Sequence, residues 1–503
     1  MAISIPEPDP DRAREAARAT RGVAAVSLGQ VASTGLSFLL ALIIPRLLGS
    51  RDYGNWALFR SVIDFMALLC ALGTPAVMSQ YYVAARAGGR DGEAGLIFKS
   101  LAAGRLAVGV VAAAAGLFLL LASRNPLMDK AAAGFLAVSV LARVAGLAPY
   151  LLLYAERRTG RIVLVNILAA TLVPALVAAA YYAGGFRLVP PACAAGDAAL
   201  AAVYWALARP DVRWPRGWLP RARFREMAAF GVTLALANTT SLACITMTPY
   251  FMSLAGMSSL LIGRVGLAVR LQNILLGLLA TAGGTLWPSI TSLMETEGVR
   301  RSVVWQSLFH RLGGVLILAA AGGFLAVAGW AVPLVWGVEF TPAIPVIGLW
   351  FGVTLAYWIG MRHALFAQLV RSPATVLKAS AWLYAVFVPL FVVFGRSGSG
   401  VETVLALLGG ALAFAASLVF TVRRNWNVSL DARRLLLPLA VNAALAAFLQ
   451  WGETSRFWMP AGLAWAGLFV ASVMASHCLR VHEVTEILTA LRRPRPRREA
   501  PPG

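Results

Sequence analysis

Six ionisable residues interrupt stretches that are otherwise apolar: Arg60 and Asp64 in one, then Arg143, Asp197, Arg270 and Arg362 in four others. A guanidinium is a planar, permanently charged fork suited to gripping phosphate oxygens. An isolated carboxylate in such a setting either neutralises a neighbouring cation or takes up a proton. With Arg264, nearer the outer end of the stretch that holds Arg270, five arginines against two aspartates leave a positive excess, so the chemistry indicated is the holding of an anion. Each candidate has a plainer alternative. Arg60 and Asp64 are four residues apart on one helical face and can neutralise one another. Asp197 is either a coupling site or a buried acid satisfied by an arginine. Arg143 and Arg270 have no carboxylate within a turn, which favours a cavity, whereas Arg264 suits the bilayer edge and Arg362 with His363 suits either. His310, His477 and His482 read as loop or span-end residues.

The stretches that carry these groups fix the class of protein. Of 503 residues, 59% are hydrophobic and only 13% charged, with a mean hydropathy of +0.74. Soluble domains carry about a quarter charged residues. Runs such as Val23–Ile44 and Leu106–Ala122 are long enough to cross about 30 Å of hydrocarbon as helices. They lack the alternation of a membrane barrel strand. On insertion scales a central Arg or Asp costs roughly 2.5–3.5 kcal/mol, so the six groups should face the bundle interior or a wet cavity.

Fourteen spans are expected: 23–44, 55–77, 106–122, 131–154, 162–183, 189–208, 228–252, 262–287, 312–336, 344–367, 374–395, 401–422, 435–451 and 459–479. The net charge of +22 follows the positive-inside rule and does not indicate nucleic acid. Arginines crowd alternate loops, with Arg86 and Arg90, Arg157 and Arg158, Arg300 and Arg301, and Arg423 and Arg424 on one side. The intervening loops hold isolated cations such as Arg51, Arg124, Arg187 and Arg456. This asymmetry places both termini in the cytoplasm of a multi-pass inner-membrane protein. The most basic connection, 209–227, follows the sixth span and carries Pro210, Pro215 and Pro220. It divides a cytoplasmic segment 1–22 and a first lobe 23–208 from a second lobe 228–422. Spans at 423–479 and a basic tail, 480–503, complete the chain. The tail is expected to be disordered and to touch anionic lipid.

Catalytic signatures such as HExxH, GxSxG and the P-loop are absent from the sequence, which argues against an enzyme. Cys70, Cys193, Cys244 and Cys478 lie in apolar runs without metal or redox spacing, and no cofactor is indicated.

Three motifs carry a resemblance. Pro45-Arg46-Leu47-Leu48-Gly49-Ser50-Arg51-Asp52-Tyr53-Gly54, between the first two spans, resembles the R-x-LG-x-x-x-YG turn of polysaccharide-transporter flippases of the O-antigen type. Gly263 to Leu271, followed by Trp287-Pro288, resembles that family's G-x-x-x-LA-x-R-x. Trp336-Gly337-Val338-Glu339-Phe340 resembles its G-x-E-F turn. The resemblance implies the multidrug/oligosaccharidyl-lipid/polysaccharide exporter fold: an all-α membrane protein with two six-helix lobes around a central cavity, plus two C-terminal helices. It further implies alternating-access transfer of a polyprenyl-pyrophosphate-linked oligosaccharide to the periplasmic leaflet, for lipopolysaccharide or exopolysaccharide synthesis. Arg60 and Arg270 would meet the pyrophosphate, and partners would include membrane lipids, a polymerase and chain-length machinery. A multidrug exporter of organic cations and a membrane glycan polymerase or ligase are the competing readings. Arginines would repel the first cargo, and the second would be expected to need a larger outside loop.

Overall fold

The computed structural model describes residues 10–478 apart from 72, 123–129, 157, 213, 298, 371, 395–398, 429, 431 and 452–457; side chains are described over 32–279, 303–448 and 462–478 with short gaps. Arg124, Arg157, Arg456 and the tail 480–503 lie outside the described residues. So do the side chains of the N-terminal segment, Arg300, Arg301, Trp287 and Pro288.

Helices account for the architecture, and no strand occurs among the described residues. The first lobe holds α1 (Pro10–Leu69), the short α2 (Thr74–Val77) and α3 (Val83–Ala87), α4 (Asp91–Ala122), α5 (Lys130–Ala155), α6 (Thr159–Gly184) and α7 (Val189–Ala208). The second holds α8 (Arg221–Thr246), α9 (Thr248–Leu254), α10 (Ser259–Glu297), α11 (Val299–Trp336), α12 (Ile344–Leu369), α13 (Pro373–Phe394) and α14 (Gly400–Trp426). Finally, α15 (Leu436–Trp451) and α16 (Trp458–Ala475) pack together and against α11. Every expected span falls on a helix or helix pair. Nine helical stretches among the described residues are long and apolar enough to cross a membrane, with α15 and α16 as shorter apolar helices.

The first two spans are not separated by a loop. Helix α1 runs through the 45–54 motif and leaves helical geometry only at Gly49, with φ 71° and ψ 166°. A side chain rarely tolerates that φ, so glycine sets the bend. The second span then stops at Leu69 rather than 77. Gly73, at φ 65°, lets the chain turn into α2 and a π-helical turn over Met78–Tyr82.

The lobes meet chiefly where the second half of α1 lies along α10. These two segments run parallel with small residues in register: Ser50, Gly54 and Ala57 face Ser259, Gly263 and Gly266. A Cβ on Gly54 would lie 1.7 Å from the Ser259 carbonyl oxygen, and one on Gly263 would lie 2.0 Å from that of Ser50. Lipid offers no hydrophobic drive for helices to associate, so close backbone approach of this kind supplies the contact instead. At the end nearer the basic linker the lobes touch again, where a Cβ on Gly73 would lie 2.2 Å from the Gly231 carbonyl oxygen.

Candidate functional site: a cationic cavity

Below the glycine seam the facing helices diverge, and each delivers an arginine. Arg60 lies one turn beyond Ala57, and Arg270 one turn beyond Gly266. Both line a cavity of about 440 Å³, together with Arg143 from α5, Asp197 from α7 and Arg105 from α4.

Two arginines are tied to carboxylates. Arg143 Nε donates to Asp197 Oδ1 at 3.1 Å, and its Nη1 donates to Asp64. Arg60 completes the square with ion pairs of 3.5 Å to Asp64 and 3.6 Å to Asp197. The Arg60–Asp64 pairing at i, i+4 is present, but it belongs to a four-membered network across three helices. Asp197 is the deeply buried member, its side chain 2% exposed. The partners that Arg143 lacks on its own helix come from α1 and α7.

Two other arginines are not so tied. Neither Arg270 nor Arg105 has a carboxylate within ion-pair distance among the described residues. Arg105 is 2% exposed; its Nη1 reaches the Ala71 carbonyl at 3.3 Å and Thr74 Oγ1 at 3.2 Å. Its Nε and Nη2 have no partner. Four guanidiniums against two carboxylates leave the chamber with two positive charges. Leaving charged donors desolvated and unmatched is costly, and an anion removes that cost.

The third span is expected from residue 106, which leaves Arg105 just outside it. Arg105 sits instead in the fourth turn of α4, which starts at Asp91. The signal that could have found it is Asp91 and Glu93, acidic residues suited to a helix N-terminus.

Two turns further along α5 and α7 the lining is polar without charge. Tyr150 donates to Asn166 Oδ1 at 3.0 Å and packs against Tyr204 with ring centroids 5.6 Å apart. Ser33 donates to the Asn166 carbonyl at 3.0 Å. Ring faces beside hydroxyl and amide groups suit a polyhydroxylated ligand, one face of which is apolar.

Arg362 is elsewhere and is not among the cavity-lining residues. Its guanidinium stacks 3.9 Å from the Trp358 ring centroid and 4.7 Å from that of Phe309, between α11 and α12. Trp358 and Arg362 are one turn apart on the face of α12 turned toward α11, whereas Arg270 projects from α10 toward the first lobe. His310, expected at a span end, is fully buried on α11.

The third motif closes the far end of the seam. Ser50 Oγ donates to Glu339 Oε2 at 2.8 Å, Arg264 Nη2 donates to the Glu339 carbonyl at 3.2 Å, and Tyr53 meets Phe340 edge-on at 6.2 Å. All three motifs therefore converge on one contact between the lobes.

Comparison with known proteins accords with this geometry. Residues 19–294 match the family model described as polysaccharide biosynthesis protein. No curated protein sequence matches the chain. Among solved structures, the lipid II flippase MurJ in an inward closed conformation is similar with a TM-score of 0.68 and 11% identity, covering 92% of this chain and 99% of that one. An inward-facing multidrug resistance MATE family transporter of the MOP superfamily gives 0.56 and 14%, covering 86% and 100%. A MOP superfamily transporter from Pyrococcus furiosus gives 0.56 and 15%, covering 80% and 95%. At these identities the likeness is one of fold.

Proposed function

Because this chain belongs to the polysaccharide biosynthesis protein family, we propose that it is a flippase for a polyprenyl-diphosphate-linked oligosaccharide. The flippase-type transporter fold is the premise; the cargo is the proposal. The observation that carries it is the pair Arg105 and Arg270, which face a shared void with no carboxylate partner among the described residues. Two unmatched guanidiniums are the complement of a diphosphate. The network of Arg60, Arg143, Asp64 and Asp197 holds the chamber between them in shape. Tyr150, Tyr204 and Asn166 offer the first sugar a ring face and hydrogen-bond partners, while the polyprenyl tail stays in lipid. Drawing the headgroup through hydrocarbon unaided is prohibitive. Rocking of the lobes about the glycine seam exposes the chamber to each side in turn.

The positive-inside rule orients the protein with the basic linker in the cytoplasm of the inner membrane, and the seam is then periplasmic. A polysaccharide polymerase and chain-length machinery would receive the flipped product. The lipid II flippase is named for a cargo of the same chemical kind. The fold is shared with multidrug transporters as well, at a lower TM-score, but two unmatched positive charges disfavour an organic cation.

The deciding experiment reconstitutes the purified chain in liposomes with a fluorescent polyprenyl-diphosphate monosaccharide and reads its transfer between leaflets. The expected result is transfer well above protein-free liposomes, reduced at least about tenfold, or ~1.4 kcal/mol, in Arg105→Gln/Arg270→Gln. Wild-type transfer no faster than the empty membrane, or an unaffected double variant, would overturn the assignment.

A further inference from the structure

Around the basic linker the cations fall into two sets. Asp91 and Glu156 are engaged by Arg86, Glu93 by Arg90, Asp211 by Arg158 and Arg161, and Glu226 by Arg223. Those acids are thereby used up. Arg209, Arg216, Arg221 and Arg225 are left over, all exposed and none with a carboxylate within ion-pair distance among the described residues. Arg221 and Arg225 stand one turn apart on one face of α8, and Arg216 lies five residues ahead of them.

Exposed rings stand among these arginines. Trp214 is 56% exposed and Trp218 62%, with Phe224 close behind them in the chain. Holding that much apolar surface out into water is unfavourable. The rings are nevertheless fixed in place. Leu219 between them is buried against the first lobe, and Trp214 stacks on Trp205 at 6.2 Å. Lys99 donates to the Pro215 and Gly217 carbonyls at 3.4 and 3.0 Å, so its ammonium is spent on the linker backbone.

Helix α4 gives the depth. Phe98 and Lys99 meet Trp214 and Trp218, and a Cβ on Gly104 would lie 3.8 Å from the Phe224 ring. Immediately beyond, Leu106, Val110 and Val111 turn outward and are exposed, as suits a surface against acyl chains. Seven residues separate Lys99 from Leu106, about 10 Å along a helix. The arginines and rings thus lie at headgroup level, where indoles are favoured. A phosphodiester there would meet guanidinium forks at its charge and apolar rings beneath it.

We propose that the linker and the start of α8 form a binding site for an anionic phospholipid of the phosphatidylglycerol kind, at the membrane boundary between the lobes. Arg216, Arg221 and Arg225 hold the phosphodiester, while Trp214, Trp218 and Phe224 lie along the glycerol and the upper acyl chains. Cations gather on one side of any multi-pass protein; these are set apart because their neighbours are neutralised and they are not. The site stands apart from the flippase reading.

The test uses the full chain in phosphatidylcholine nanodiscs, with bimane on A229C, an exposed position one turn beyond Arg225; the four native cysteines are buried. Phosphatidylglycerol or phosphatidylcholine carrying a nitroxide near the headgroup is added, and quenching reads which lipid gathers at the label. The expected result is a preference for phosphatidylglycerol of roughly fivefold per engaged arginine, weakening as salt is raised. Arg221→Gln should cut the preference severalfold, and Arg216→Gln/Arg221→Gln/Arg225→Gln should bring the two lipids level. Arg158→Gln removes the same charge from a carboxylate-paired position and should leave the preference unchanged. Equal quenching by the two lipids in the wild type would overturn the proposal. So would an equal drop in Arg221→Gln and Arg158→Gln, which would reduce the effect to general surface charge. Displacement of the lipid by inorganic phosphate would assign the patch to a soluble anion and overturn it as well. Every substituted side chain is exposed, and the wild-type comparison decides even if a variant fails to fold. No cargo is involved, so a failure here is distinct from a failure of lipid transfer.

Discussion

Gly54 and Gly263 meet backbone to backbone across the two lobes, each standing where the other helix leaves no space for a Cβ. The contact unites two sequence motifs more than two hundred residues apart, and from it the arginine-bearing faces of α1 and α10 fall away into the chamber. The seam is close, and no side-chain hydrogen bond joins the two glycines; the bond from Ser50 to Glu339 ties its far end, so parting the lobes there must break that bond too.

Gly54→Ala should hold the seam open. Overpacking a tight contact costs about 1–3 kcal/mol, a shift of roughly 5–150-fold in the open population. An impermeant maleimide reading S50C, which is shielded in the closed contact, would register it as faster labelling; the four native cysteines are buried. Gly35→Ala is the control, because a Cβ there meets nothing within 4 Å. Equal labelling rates in the two variants would mean that the lobes do not part at the seam.

Asp197→Asn should destabilise the protein by about 3–5 kcal/mol, since it leaves Arg60 and Arg143 sharing Asp64 alone in a buried network. Adding Arg143→Gln removes the surplus charge and should restore part of the loss. Thermal unfolding of the single and double variants in detergent measures both steps. Additive losses would show that the four groups do not act as a unit.

A pH effect on stability is expected at the helix end beside the basic linker. Burial works to raise the Glu156 carboxyl, but hydrogen bonds from Arg86 and Tyr82 outweigh it and hold the group below its usual range. Arg86 binds it through both Nε at 2.9 Å and Nη2 at 3.1 Å. A carboxyl depressed on folding stabilises the protein above its unfolded value, about 4.3, and loses that contribution as pH falls through the folded value. Glu156→Gln should therefore melt below wild type at neutral pH, with the gap closing under acid. A gap that persists at low pH would show that the side chain acts by packing alone.

How much of this was legible beforehand differs by residue. The spans could be read because lipid penalises unpaired backbone and mid-span charge so heavily that hydropathy and loop arginines leave little choice. Arg60, Arg143, Arg270 and Asp197 stood out for the same reason. Spacing gives the face of a helix that a residue occupies, but not the helix that face meets. Hence Arg143 could not be matched to Asp197 on α7, and nothing marked Arg362 as turned away from the chamber toward Trp358. Arg105 was hidden by a boundary: its helix begins well before its apolar run does. His310 was missed because an imidazole at the edge of a span carries no hydropathy signal, and its burial depends on α12.

The segment between the lobes has a consequence of its own. Trp214 stacks on Trp205 at 6.2 Å and lies 5.9 Å from Phe98, while Lys99 donates to the Gly217 carbonyl at 3.0 Å and sits over the Trp218 ring at 4.6 Å. Nearly all of that connector is thus glued to the first half, and Arg223 of α8 reaches back over Tyr81 as well. Its contour length is therefore not slack: splicing flexible glycine-serine repeats into it would leave the halves as closely harnessed as before.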